Sequence, residues 1–172
     1  MTTKLYPGLR QTQRRVEIVD SRNMPIGIMD YKNVLHQRLP HRTVALLLRD
    51  ACGRVLLTLQ PQSGWSFSSF SHVPAGQSAE TRATTTLHDN WNLRSSRIVP
   101  IGIFPPCMEN RQSFTTFFEA RLSAVTAAEL AVSTEHHLLL DYDELKGMNT
   151  HFKDMLTPYM RIIIQNGYIR PF

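Results

Sequence analysis

Cysteine is scarce in this chain: 172 residues hold two, Cys52 and Cys107, far apart and outside any CxxC pairing. That excludes a paired-thiol redox or zinc motif. Long apolar runs are also missing. The longest stretches, such as VALLLRD and HLLLDY, are far too short to span a bilayer, which excludes membrane insertion. The N-terminus has no basic region followed by a long apolar run, so no leader is read there and a cytoplasmic location is the expectation. Acid is the scarcer charge, with 14 Asp and Glu against 19 Lys and Arg, for a net charge of +5. Fifteen of those nineteen bases are Arg, whose planar fork suits phosphate and carboxylate. The balance fits an anionic ligand, although genomic base composition produces the same bias. No run of like charge resembles a nucleic-acid arm, and the densest cluster is Arg10, Arg14, Arg15 and Arg22. Nucleic acid is therefore not the expected partner.

What is present describes a soluble globular chain, 42% hydrophobic and 19% charged. Its length suits one domain, with residues 1–15 as an N-terminal segment and 16–172 as the domain. RRVEIVD alternates as a strand, SRNMP turns, and IGIMD returns as a second strand. HRTVALLLRDACGRVLLTLQP reads as a more buried hairpin about the Asp50 to Gly53 turn. QSGWSFSSFSHVPAG reads as strand and loop. Ser78 is then an N-cap, and Ala79, Ala83, Leu87 and Trp91 recur at spacings of four, which predicts a helix of about 12 to 15 residues. Asn92 suits a left-handed stop. RIVPIGIF and QSFTTFFEARL are strands joined by PPCMENR, and HHLLLD is another. Asp141 and Glu144 have capping-box spacing ahead of a one-turn helix. Thr157, Pro158 and Gly167 punctuate a closing helix. This order predicts an α/β (α+β) sandwich with a mixed sheet between helices.

The segment VEIVDSRNMPIGIMDYKNVLHQRLPHRTVALLLRDACGRVLLTLQ, with GWSFSSFSHVPAGQSAE after it, resembles a Nudix domain of the branch close to isopentenyl-diphosphate isomerase. The resemblance covers about residues 16 to 165 and implies an α/β/α sandwich. It also implies a hydrolase of nucleoside-diphosphate-linked substrates. In the Nudix box a glycine, a glutamate, an Arg-Glu pair, a Glu-Glu pair and a final glycine stand at fixed spacing. Here those positions carry Ser71, Gln77, Thr85 with Thr86, Asp89 with Asn90, and Asn92. The aliphatic positions are kept by Leu87 and Leu93, so the box is degenerate.

In an active Nudix enzyme, box carboxylates on one helix face collect Mg²⁺ or Mn²⁺, hard cations that need oxygen ligands and a diphosphate. Thr86, Asp89 and Asn90 offer that face one carboxylate and two neutral groups, and Gln77 is an amide. No cofactor is expected, since the box does not support Mg²⁺. Glu80 lies six residues before Thr86 and faces elsewhere. Glu109, in a later loop, is the candidate for a recruited base. Isomerase chemistry is not expected either: Phe70 stands at the cysteine position, and the late glutamate positions fall near Arg111 and Ser113. His36, His41 and His72 would bind a transition metal only if they converged.

Arg42, His72 and Trp65 are the candidate ligand contacts, with core packing the alternative for Trp65. Three functions stay open. One is a weakly active or inactive pseudoenzyme that binds a small phosphorylated or nucleotide-like ligand. Another is a hydrolase using non-standard ligands, and the third is an interaction or regulatory module. A homodimer is compatible with each.

Overall fold

The computed structural model describes residues 14–93, 97–132 and 135–171. Arg10 and the rest of the N-terminal segment before residue 14 lie outside them. Among the described residues, nine strands and five helices follow in order: β1 Arg15–Val19, β2 Pro25–Asp30, α1 Tyr31–His36, β3 His41–Arg49, β4 Val55–Gln60, β5 Gly64–Ser66, β6 Ser69–His72, α2 Ala79–Trp91, β7 Ile98–Phe104, β8 Ser113–Arg121, α3 Ala124–Val132, β9 His137–Leu140, α4 Tyr142–His151 and α5 Pro158–Gln165.

Strand β3 organises the molecule. It runs parallel to β8 from His41↔Ser113 to Arg49↔Arg121, antiparallel to β6 over Thr43 to Leu46, and touches β1 and β4 at its ends. A strand buried on both faces reads as a continuous apolar run, as VALLL does. Its alternate side chains feed two cores. Ala45 and Leu47 pack with Phe117, Leu145, Tyr159, Met160 and Ile163 beneath α4 and α5. Val44, Leu46 and Leu48 pack with Val73, Ala83, Leu87, Phe118 and Ala127 beneath α2 and α3. The result is the expected α/β/α sandwich with a mixed sheet. Leu46, Leu47 and Leu48 are wholly buried, each contributing roughly 1.5–3 kcal/mol of burial free energy.

The hairpin of β1 and β2 forms as expected. The second hairpin is much shorter than the sequence reading, with only Leu48↔Leu56 and Arg49↔Val55 in register. Strand β4 then leaves β3 for β5 and β9, because β6 occupies the rest of that edge of β3. The predicted caps hold. Ser78 accepts from Thr81 N at 3.0 Å, Asn92 is left-handed, and Asp141 with Glu144 closes a capping box. Helix α4 nevertheless runs ten residues rather than one turn, and α1 and α3 were not expected. Helix α1 is six residues long, capped by Asp30 accepting from Lys32 N. At Gly64, φ is +98° and an added Cβ would meet Met155 O at 2.5 Å, so only glycine lets β5 lie against the 3-10 turn at Lys153–Met155. Among the described residues no helix is long and apolar enough to cross a membrane.

Candidate functional site

The loop into α2 is laced to β1. Ala75 N donates to Arg15 O at 2.8 Å, Gly76 N donates to Glu17 Oε1 at 3.3 Å, and Val16 bridges Pro74. This anchors the start of α2 above β6. Residues 82, 86 and 90, four apart, then share the helix face turned to that strand. Arg82 is buried, and its Nε donates to Ser71 Oγ at 2.9 Å. Asn90 Nδ2 and Trp91 Nε1 each donate to Ser69 Oγ at 2.9 Å. Thr86 is buried between them, and its Oγ1 has no hydrogen-bond partner among the described residues. The amide oxygen of Gln77 is likewise buried without a partner.

The face of α2 turned to β6 therefore carries a buried guanidinium, a hydroxyl and a carboxamide. Asp89, the acid aligned with the box in the sequence reading, has a side chain 61% exposed and lies 3.1 Å from His88 Nδ1. It stays outside the Arg82–Thr86–Asn90 face. Among the described residues no three His, Cys, Asp or Glu side chains come together in a metal-holding group. This donor set does not fit Mg²⁺ or Mn²⁺: neutral oxygens offer little charge, and a fixed guanidinium repels a cation.

The other candidates are scattered. Arg42 is committed, with Nη1 donating to Glu17 Oε2 at 2.8 Å, Nε to Asn23 Oδ1 at 2.9 Å, and Nη2 to Asn23 O. Trp65 is 8% exposed in the core under α5, and its carbonyl accepts from Thr157 N. Its ring is packing, the alternative held for it from sequence. Glu109 is exposed in the loop between β7 and β8 and engages the Cys107 thiol, whose pKa burial pushes up first of all. His36 is exposed at the end of α1.

His41 and His72 share a neighbour, Tyr31, which stacks on His72 at 4.2 Å and meets His41 edge-on at 5.6 Å. His41 is 1% exposed. Its Nδ1–H donates to Leu39 O at 2.9 Å, leaving Nε2 buried with no partner. Burial, reinforced by His72 and Arg111, holds its pKa below the ordinary 6.5, so the ring is neutral at pH 7.

Sequence reasoning passed over Tyr31 and Arg82. The signal for Arg82 was its place four residues before Thr86. It also missed the order in the β7–β8 loop. Asn110 is 1% exposed there. Its Oδ1 accepts from Cys107 N and Ser113 N, and its Nδ2 donates to Pro105 O and Ser113 O. That clamp holds Arg111 and Gln112 at φ 58° and 63°.

No family model matches the sequence, and no curated protein matches it. Solved structures do. The crystal structure of DR0079 from Deinococcus radiodurans, a hypothetical Nudix protein, is similar with a TM-score of 0.69 at 16% identity, over 88% of this chain and 97% of that one. A mutT/nudix family protein from Listeria innocua gives a TM-score of 0.58 at 15% identity, over 74% of this chain and 90% of that one. The NrtR protein of Shewanella oneidensis, in complex with a 27mer DNA, gives 0.53 at 13% identity over 72% of this chain, which spans 58% of that structure. Identities this low speak for architecture alone, and by its architecture this chain has the Nudix fold.

Proposed function

We propose that this protein binds a small phosphorylated or nucleotide-like ligand on its Nudix scaffold and does not hydrolyse it by the metal-assisted route. The observation that carries this reading is Arg82, a buried cation hydrogen-bonded to Ser71 on the helix face where metal-binding carboxylates would be needed. Metal-assisted attack on a phosphoanhydride draws on divalent charge to neutralise the phosphates and lower the pKa of a water. Gln77, Thr86 and Asn90 supply no carboxylate, and Asp89 and Glu109 lie out in solvent. The protein as a whole has an excess of cationic groups that suits an anionic small molecule.

The test is a panel of nucleoside-diphosphate-linked compounds with Mg²⁺ or Mn²⁺. The expected result is no phosphate release above the protein-free blank, together with a rise in Tm from at least one nucleotide, since a ligand that prefers the native state raises apparent stability. Metal-dependent turnover removed by Asp89→Asn or Glu109→Gln would instead establish a hydrolase with non-standard groups. A second reading, a regulatory module, draws on one observation: the fold is shared with NrtR, a protein solved with DNA. Salt-sensitive retention of a DNA duplex, without a response to nucleotides, would favour that reading.

A further inference from the structure

Resting on the ligand-binding reading above, the geometry points to the place where the phosphate is held. We infer that the depression between the end of α1 and the β7–β8 loop is an anion site for a phosphate or diphosphate group, gripped by Arg38 and Arg111. It has a volume of about 350 Å³ and is lined by Leu35, Arg38, Met108, Arg111 and Gln112. That is the lower end of the size range for small-molecule sites. Among the described residues, two arginines and a glutamine line it, and no acid does. Glu109, the acid on the same loop, is exposed and is not one of the lining residues.

Four arginines elsewhere in the fold are committed to protein partners. Arg42 is bound to Glu17 and Asn23, Arg49 to Glu119, Arg54 to Asp50 and Arg82 to Ser71. Among the described residues, neither Arg38 nor Arg111 has an ion-pair or hydrogen-bond partner for its guanidinium. Two like charges beside one depression, with no counterion among the described residues, attract an anion from solution. Planar forks bind phosphate oxygens in bidentate fashion.

The backbone is set for this. Arg38 has φ 53° at the end of α1, where its N–H donates to Leu35 O, and Leu39 N donates to Val34 O. Glycine or asparagine is the usual occupant of such a stop. Arg111 and Gln112 are left-handed as well, held so by the buried Asn110 clamp. Three non-glycine residues in left-handed backbone around one depression are overdetermined by their surroundings, a condition that accompanies preorganised ligand sites. Gln112 O also accepts from His41 N at 3.4 Å, which ties the loop to the head of β3. Leu35 and the exposed Met108 give an apolar flank for the body of the ligand.

The test titrates inorganic pyrophosphate, ADP and adenosine into the full chain by calorimetry, and follows the Nε–H resonances of arginine by NMR. Pyrophosphate and ADP should bind without added metal, adenosine should not, and the Arg38 and Arg111 resonances should shift. Arg38→Gln or Arg111→Gln should each weaken binding by about tenfold or more, whereas Lys146→Gln, on the exposed face of α4, should leave it unchanged. The resonance shifts decide the matter even if a variant folds poorly. ADP binding that survives both substitutions, with no shift at either guanidinium, would overturn this site while leaving the ligand-binding reading intact. Failure of ADP and pyrophosphate alike to bind the native chain would overturn both, and pyrophosphate binding alone would uphold the anion site while removing the nucleotide.

Discussion

Asn110 shows how one side chain sets a loop. Its carboxamide uses both oxygen lone pairs and both N–H groups on four backbone atoms of residues 105 to 113, which is all that a primary amide offers. Asn110→Ala would leave buried backbone groups unpaired and release Arg111 and Gln112 from their left-handed state. A loss of about 2–3 kcal/mol is expected, read as a lower urea midpoint, with phosphate binding weakened alongside. An unchanged midpoint would mean that the loop is held by other contacts. None of this was visible in PPCMENRQS, since an asparagine in a polar loop signals a turn without saying that it is buried. The positive φ of an arginine has no sequence signature at all, because the residues expected there are glycine and asparagine.

Helix α2 was the most legible element. Its N-cap, its spacing of four and its left-handed end at Asn92 are local properties, and all of them hold. The scarcity of acids along this helix was equally plain in the sequence, but the partners of its inner face were not. Which face of α2 meets β6, and that Ser71 Oγ would receive a guanidinium there, depends on a strand eleven residues away. Arg82 leads to a definite expectation. Restoring the box by Gln77→Glu, Thr86→Glu, Asp89→Glu and Asn90→Glu should not by itself create a tight Mg²⁺ site. A glutamate at position 86 would sit one turn from Arg82 and pair with it. Adding Arg82→Ala and Ser71→Gly should tighten Mg²⁺ binding by about tenfold or more, since an adjacent cation is removed. Calorimetric titration of the two variants decides this, and tight binding by the four-acid variant alone would show that Arg82 does not oppose a metal. Helices α1 and α3 escaped notice for a different reason. Six residues are too few to display a period, and α3 is short, with no acidic residue in its first turn and no basic residue in its last.

At the scale of the whole molecule, acid stability is governed in part by His41. Its folded-state pKa lies below 6.5, chiefly through burial, with His72 and Arg111 adding to the effect and the Leu39 carbonyl opposing it. The unfolded chain then binds the extra proton first. Stability is therefore full above about pH 6.5 and falls as the pH drops below it. His137, lowered by burial and by His136, acts in the same direction. The urea midpoint should decline between about pH 7 and pH 5, and less steeply in His41→Gln. Equal slopes for the two proteins would assign the decline to other groups.

The order of strands, helices and turns was readable from periodicity and punctuation. The pairing was not: β3 pairs with β4, the next strand in the chain, at Leu48↔Leu56 and Arg49↔Val55 only, while its main neighbours, β6 and β8, lie much further along the chain. Because one strand contributes to both cores and is hydrogen-bonded to four others, neither half of the protein owns a hydrophobic interior of its own. A break inside residues 43–48 would therefore disturb both layers together.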